Sequence, residues 1–211
     1  MQTVALIDYG SGNLHSAERA LRRAALEAGV TCEIRITDLP ETIGQADRIV
    51  LPGVGHFADC KAGLSARHGV IEALEEAVLA RGRPFLGICV GMQLMADLGL
   101  EDGETPGLGW IEGVVARLNP PEGFRIPHMG WNGIDMTAHA LFDGIAPGSH
   151  AYFVHSYAFE AVPEDVAATS RHGVSFTAAV ARDNLFGTQF HPEKSQATGL
   201  KLLANFMKWK P

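Results

Sequence analysis

"RGRPFLGICVGMQLMADLG", Arg81 to Gly99, decides the fold. "PFLGI" is an uninterrupted apolar run, the signature of a strand buried on both faces, and it passes into helix formers across a cysteine set between two glycines. Cys89 reads in two ways. It is a small buried hydrophobe at the end of a core strand, or a nucleophile raised on a sharp strand-to-helix bend. In the second reading Gly87 and Gly91 remove side chains that would crowd the sheet and block a substrate. A helix opening near Val90 would direct free N–H groups at the sulfur, favouring the thiolate, and would offer the Val90 N–H to a developing oxyanion.

Outward from this stretch, the first half keeps one rhythm. "TVALIDYG" is a short strand ending at Asp8, and "NLHSAERALRRAALEAG" is helical, with Leu14, Ala17, Leu21, Ala24 and Ala25 in one stripe and Gly29 as the stop. "TCEIRIT" and "RIVLPG" are strands, and Phe57 to Ala80 carries helical periodicity that Gly82 terminates. Strands alternating with helices predict a mostly parallel sheet covered on both faces. After Gly99 the pattern changes. "GLGWIEGVVARL", "IPHMGWNGI", "AYFVHSYAF", "VSFTAAVARDN" and "LFGTQF" are strand-like with tight turns between them, which predicts a mixed, partly antiparallel sheet added to the parallel one. "TGLKLLANFMKWK" closes the chain as a helix packing Leu200, Leu203, Ala204 and Met207 on the sheet. No linker marks a boundary, so residues 1–211 read as a single domain.

Composition narrows the function. Apolar residues make up 46% and the formal charge is −7, with no basic cluster, which argues against nucleic acid or an anionic membrane as partner. Three cysteines without a C-x-x-C pair point away from a disulfide scaffold and towards a reducing compartment. The amino-terminal stretch meets Asp8 too early for a signal peptide, and no apolar run reaches the ~20 residues of a membrane span. The expectation is a cytoplasmic protein.

A cysteine nucleophile needs a base, and the base needs an orienting group. In "GTQFHPEKS", His191 and Glu193 follow an apolar strand; residues two apart in an extended stretch share a side, and Pro192 favours that extension. Glu193 can thus hold the His191 ring. Taken alone, His191 reads equally as a solvated turn histidine. "LPGVGHF" places Gly53, Val54 and Gly55 after a strand, where backbone N–H groups could form the second side of an oxyanion hole. It is neither a Walker loop nor a dinucleotide fingerprint. The remaining histidines lack metal-ligand spacing, so no metal site is expected.

Together "LPGVGHF", "PFLGICVGMQLM" and "TQFHPEKS" resemble the class I glutamine amidotransferases with a Cys, His and Glu triad. "YGSGNL", "HMGWN" and "YFVHSY" are similar to the branch that supplies glutaminase subunits to imidazole glycerol phosphate synthases. The resemblance spans essentially the whole chain. It implies a flavodoxin-like three-layer α/β sandwich with an added mixed sheet, and no cofactor. By resemblance, Cys89 attacks the glutamine carboxamide, His191 acts as base and then acid, and Glu193 orients it. The N–H groups of Val90 and of the Gly53–Val54–Gly55 strand, that of Val54 once its backbone adjusts, would hold the oxyanion.

The same resemblance places Gly53, Gln93, His155, Ser156 and Tyr157 around the glutamine. It implies delivery of ammonia to a (β/α)8 barrel cyclase subunit, forming a heterodimer, with Asn13, Lys194 and the strand His128, Met129, Trp131 and Asn132 at the junction. The barrel subunit would make imidazole glycerol phosphate and aminoimidazole carboxamide ribonucleotide. One departure is visible: position 90 is valine where the family pattern has leucine. Two other readings stay open from the residues alone. One is a stand-alone Cys–His–Glu hydrolase or a glutaminase of another pathway; the other is a flavodoxin-like binding protein with an inert Cys89.

Overall fold

A computed structural model describes residues 1–211. Four strands open the chain: Gln2–Ile7 (β1), Cys32–Thr37 (β2), Arg48–Gly53 (β3) and Phe85–Cys89 (β4). They run parallel in the order β2-β1-β3-β4. Every residue of β3 and β4 is buried, which is why these strands are apolar, Arg48 at the start of β3 apart, rather than alternating. Between them lie Leu14–Ala28 (α1), Pro40–Gln45 (α2), Phe57–Ser65 (α3) and Val70–Glu75 (α4). Helix α1 buries the expected Ala17, Leu21, Ala24 and Ala25 and ends on Gly29, whose left-handed conformation lets its N–H close the last turn. The helical run expected from Phe57 to Ala80 is instead broken after Ser65, and Gly69 (φ 74°) starts the chain again. It ends as a π-helical turn at Glu76–Ala80.

After β4 the chain makes one helical turn, Val90–Gln93 (α5), then Leu98–Gly99 (β5), Thr105–Pro106 (β6), Gly113–Arg117 (β7), His128–Gly133 (β8) and Asp135–Met136 (β9). There follow His150–His155 (β10), Tyr157–Ala161 (β11), Val166–His172 (β12), Val174–Arg182 (β13), Leu185–Thr188 (β14) and Gln196–Lys208 (α6). The main sheet continues as β4-β14-β13-β12-β9; β14 is parallel to β4, and the last three strands are antiparallel. A four-stranded mixed sheet, β11-β7-β5-β6, and a two-stranded β10-β8 ribbon are the additions.

Helices α1 and α6 pack together, and α4 packs on both α2 and α3, so the main sheet is the middle of a three-layer α/β sandwich. Its 57 buried apolar residues form one contiguous core. Two expectations are corrected in detail. "GLGWIEGVVARL" pairs only from Gly113, and "DVAATSRH" contributes β12, a strand absent from the apolar pattern. Leu200 is only half-buried; α6 turns Leu202 and Phe206 inward beside Leu203, Ala204 and Met207. No helix is long and apolar enough to cross a membrane.

Candidate active site

Cys89 closes β4 at the carboxyl edge of the parallel strands, level with Gly53 of β3. Its backbone takes φ 54°, ψ −113°, a region that L side chains avoid, and hands the chain directly into α5. Three glycines make this bend possible by letting main chain rest on main chain. A Cβ on Gly91 would lie 1.9 Å from the Leu51 carbonyl oxygen, one on Gly87 2.7 Å from the Gly91 oxygen, and one on Gly53 2.7 Å from the Gly91 nitrogen. The helix expected after Val90 is a single turn, so its directing effect on the sulfur is confined to the first amides.

His191 follows β14, its N–H donating to the Tyr152 carbonyl at 2.9 Å. The stretch after it is not extended: Pro192–Lys194 forms a 3₁₀ turn, and Glu193 reaches the ring from within that turn. The His191 Nδ1···Glu193 Oε1 distance is 2.9 Å, with both side chains buried. Ser195 pins the turn, its hydroxyl donating to the His191 carbonyl (2.7 Å) and accepting from the Tyr152 N–H (2.9 Å). With Nδ1 committed to Glu193, Nε2 is the nitrogen available for chemistry. It is buried and closes no hydrogen bond in this geometry. Burial opposes a charged ring, but attraction to negative charge on the nearby Cys89 sulfur and on the Glu193 carboxylate outweighs it and raises the His191 pKa to about 9.

Cys89 and His191 open onto one cavity of about 280 Å³, which Val54, Gly55, Val90, Gln93, His155, Ser156 and Tyr157 also line. A larger open groove of about 590 Å³ between α1 and α6 holds Arg19, Arg23 and Lys201 but neither Cys89 nor His191, and the chemistry lies with the smaller cavity. His155 is held neutral: burial lowers its pKa to about 4, against a hydrogen bond from its Nδ1–H to the Tyr157 carbonyl (2.9 Å). Gln93 donates from Nε2 to that same carbonyl at 3.1 Å. Gly53 does not line this cavity. Its missing side chain makes room for α5.

The Val54 peptide is clasped from below the loop. Its N–H donates to Ser11 Oγ (3.1 Å), and the same hydroxyl donates to the Val54 carbonyl (2.7 Å). The Cys60 thiol lies 3.4 Å from that carbonyl, and burial raises its pKa. Of the junction residues, Asn13 caps α1 by accepting from the Ser16 N–H (3.3 Å), and Lys194 is exposed over the Tyr152 ring. On β8 the strand alternates: Met129 (64% exposed) and Trp131 (46%) face outward, while His128 is buried. His128 therefore cannot touch a docked partner directly; it bonds through Nδ1 to His155 at 3.0 Å and through Nε2 to Asn132 at 3.3 Å. Sequence reasoning missed Ser11, Gln189 and Glu101. Glu101 accepts from the Phe57 N–H (2.8 Å) and borders the cavity. Only Gln189 carried a signal, since an extended "TQFH" would place it on the same side as His191 two residues on.

A thiol on a strained bend and an imidazole around one cavity, the imidazole held by a buried carboxylate, define a cysteine-dependent enzyme. The family model of class I glutamine amidotransferases matches residues 5–209. Imidazole glycerol phosphate synthase subunit HisH of Caulobacter vibrioides is 59% identical over 214 residues, covering 100% of both chains. The subunits of the same name from Rhodospirillum rubrum and Rhizobium meliloti are each 58% identical, over 99% of each chain. Among solved structures, one described as a glutamine amidotransferase superposes with a TM-score of 0.72 at 18% identity, over 98% of this chain and 99% of that one. Another, described as a putative GMP synthase protein from Thermoplasma acidophilum, gives 0.67 at 22%, over 99% and 93%. These two show the fold. The chain belongs to the class I glutamine amidotransferases and, within them, to the HisH glutaminase subunits of imidazole glycerol phosphate synthase.

Proposed function

We propose that this single-domain chain hydrolyses L-glutamine at Cys89 and passes the ammonia to a (β/α)8 barrel cyclase subunit bound over the exposed face of β8. The observation that carries the reading is His191, which is paired with the buried Glu193 and opens onto the same cavity as a cysteine held in a strained turn. Cys89 Sγ attacks the carboxamide carbon, and its proton reaches the departing nitrogen through His191 Nε2. Ammonia leaves, and a γ-glutamyl thioester remains. Water, deprotonated by the same ring, then cleaves the thioester to glutamate and restores the thiol. Glu193 keeps the ring's tautomer and stabilises the imidazolium. The Val90 N–H and, once Ser11 lets go, the Val54 N–H beside Gly55 receive the oxyanion.

Gln93, His155, Ser156 and Tyr157 border the glutamine. Asn13, Met129, Trp131, Asn132 and Lys194 face the barrel subunit, which converts its nucleotide substrate and the ammonia to imidazole glycerol phosphate and aminoimidazole carboxamide ribonucleotide. The exposed Met129 and Trp131 support this docking face, since large apolar side chains on an open strand are the kind a partner covers. The test is Cys89→Ala, assayed with the barrel subunit. Synthesis from glutamine is abolished and synthesis from added ammonia is retained; loss of both overturns this division of labour.

A further inference from the structure

Gln189 is fully buried immediately after β14, its backbone N–H donating to the Ala178 carbonyl at 2.8 Å. Its side chain takes no part in the proton transfers of the triad, yet its amide nitrogen lies 3.7 Å from Cys89 Sγ. An amide can turn either its NH2 or its oxygen to a neighbour, and here the surroundings decide which. The Tyr157 carbonyl can only accept, and it accepts from Gln93 Nε2 (3.1 Å) and from His155 Nδ1 (2.9 Å). Gln93 Nε2 gives its second proton to Gln189 Oε1 at 3.0 Å. With its oxygen engaged as an acceptor, Gln189 presents its NH2 to the sulfur. A backbone carbonyl that cannot flip thus sets the polarity of two side-chain amides in series.

We propose that Gln189 is a catalytic residue: its Nε2–H hydrogen-bonds the Cys89 thiolate, holding the sulfur charged and aimed into the cavity for attack. The inference rests on Cys89 being the nucleophile. A hydrogen bond to a charged sulfur favours the thiolate over the thiol, and attack on the carboxamide removes that charge. The donor therefore raises the amount of thiolate present while tempering the reactivity of each thiolate, so its loss shifts the pH profile without lowering the high-pH plateau. The other titratable groups around Cys89 are His191 with Glu193 behind it, His155 and Glu101 across the cavity, and Tyr9 and Cys60 on the β1 and α3 side. None is altered by changing Gln189.

The test is the pH dependence of Cys89 alkylation by iodoacetamide in the full chain, followed by mass spectrometry of the Cys89 peptide. Gln189→Met keeps the length and removes the donor; Gln189→Glu keeps the shape and the acceptor for Gln93 but brings a carboxylate to the sulfur. For Gln189→Met the profile moves about one to two pH units higher, roughly a 10- to 100-fold loss of rate below the midpoints, with the high-pH plateau undiminished. For Gln189→Glu it moves further in the same direction. Should Gln189→Met not fold, Gln189→Leu, likewise without donor or charge, takes its place, and Gln189→Glu serves only to show that the assay registers charge at the sulfur. A merely structural role lowers the rate at all pH values without moving the midpoint, and that result overturns the proposal. If parent Cys89 is neither selectively alkylated nor protected by L-glutamine, the nucleophile assignment itself falls. A reactive, glutamine-protected parent with unmoved variants overturns the Gln189 role alone.

Discussion

The strain at Cys89 can be measured without any chemistry at the sulfur. Replacing it by alanine or by glycine removes the thiol in both cases, and the two variants differ chiefly in tolerance of φ 54°, ψ −113°. In an ordinary strand, alanine is the more stable by about 0.5–1 kcal/mol, because glycine loses more backbone freedom on folding. A non-glycine residue held in a disallowed region costs about 1–3 kcal/mol, which glycine does not incur. With about 2 kcal/mol for the strain and about 0.7 for the backbone entropy, the balance reverses in glycine's favour by about 1 kcal/mol. The side chain at 89 faces the cavity, so the extra methyl of alanine gains little packing. In a chain of this size that balance raises the melting temperature of Cys89→Gly over Cys89→Ala by about 2–4 °C. Thermal unfolding of the pair is the assay, with Ala116→Gly on β7 as the ordinary-strand control, where glycine lowers the midpoint. A Cys89→Ala variant as stable as Cys89→Gly would refute a strained elbow.

The His191 ring binds its proton more tightly in the folded chain, its pKa rising from 6.5 to about 9. Its contribution to stability is therefore complete below about pH 6.5 and fades as pH rises through about 9. Glu193→Gln weakens that dependence, which denaturant titrations at pH 6, 8 and 10 will register; an unchanged pH dependence refutes the pairing. Ser11→Ala frees the Val54 peptide from its clasp, and one hydrogen bond of about 1 kcal/mol corresponds to a several-fold faster glutamine hydrolysis by the chain without its partner. A rate equal to or below the parent's counts against Val54 as an oxyanion donor.

What could be read in advance followed chain distance. Strands β1, β3 and β4 each contain a run of consecutive apolar residues, and α1 declares itself by a stripe and a glycine stop, so each is legible within its own segment. Helix α2 is too short for a stripe, burying only Ile43, and β12 is recognised by its partners β13 and β9 rather than by its own pattern. Around the cavity the same division holds. Cys89 and His191 sit in glycine- and proline-punctuated stretches that announce a bend. Ser11 acquires meaning only from Val54, and Gln189 only from Gln93 and Cys89, contacts that no local pattern encodes. Extended-strand geometry predicts Glu193 beside His191, whereas a 3₁₀ turn brings it there.

The glycine bed beneath α5 separates two kinds of variation. Gly53 and Gly91 set peptide directly against peptide, so the backbone that carries the sulfur is fixed by main chain with no side chain in between. Changes in neighbouring side chains can retune affinity, timing or the aim of the sulfur while the backbone beneath it stays where it is. Valine at position 90, in place of the family's leucine, is such a change: it alters what fills the space beside the elbow and leaves the elbow's location untouched. Conversely, a single methyl at Gly91 would meet the Leu51 carbonyl and could be accommodated only by moving the nucleophile itself.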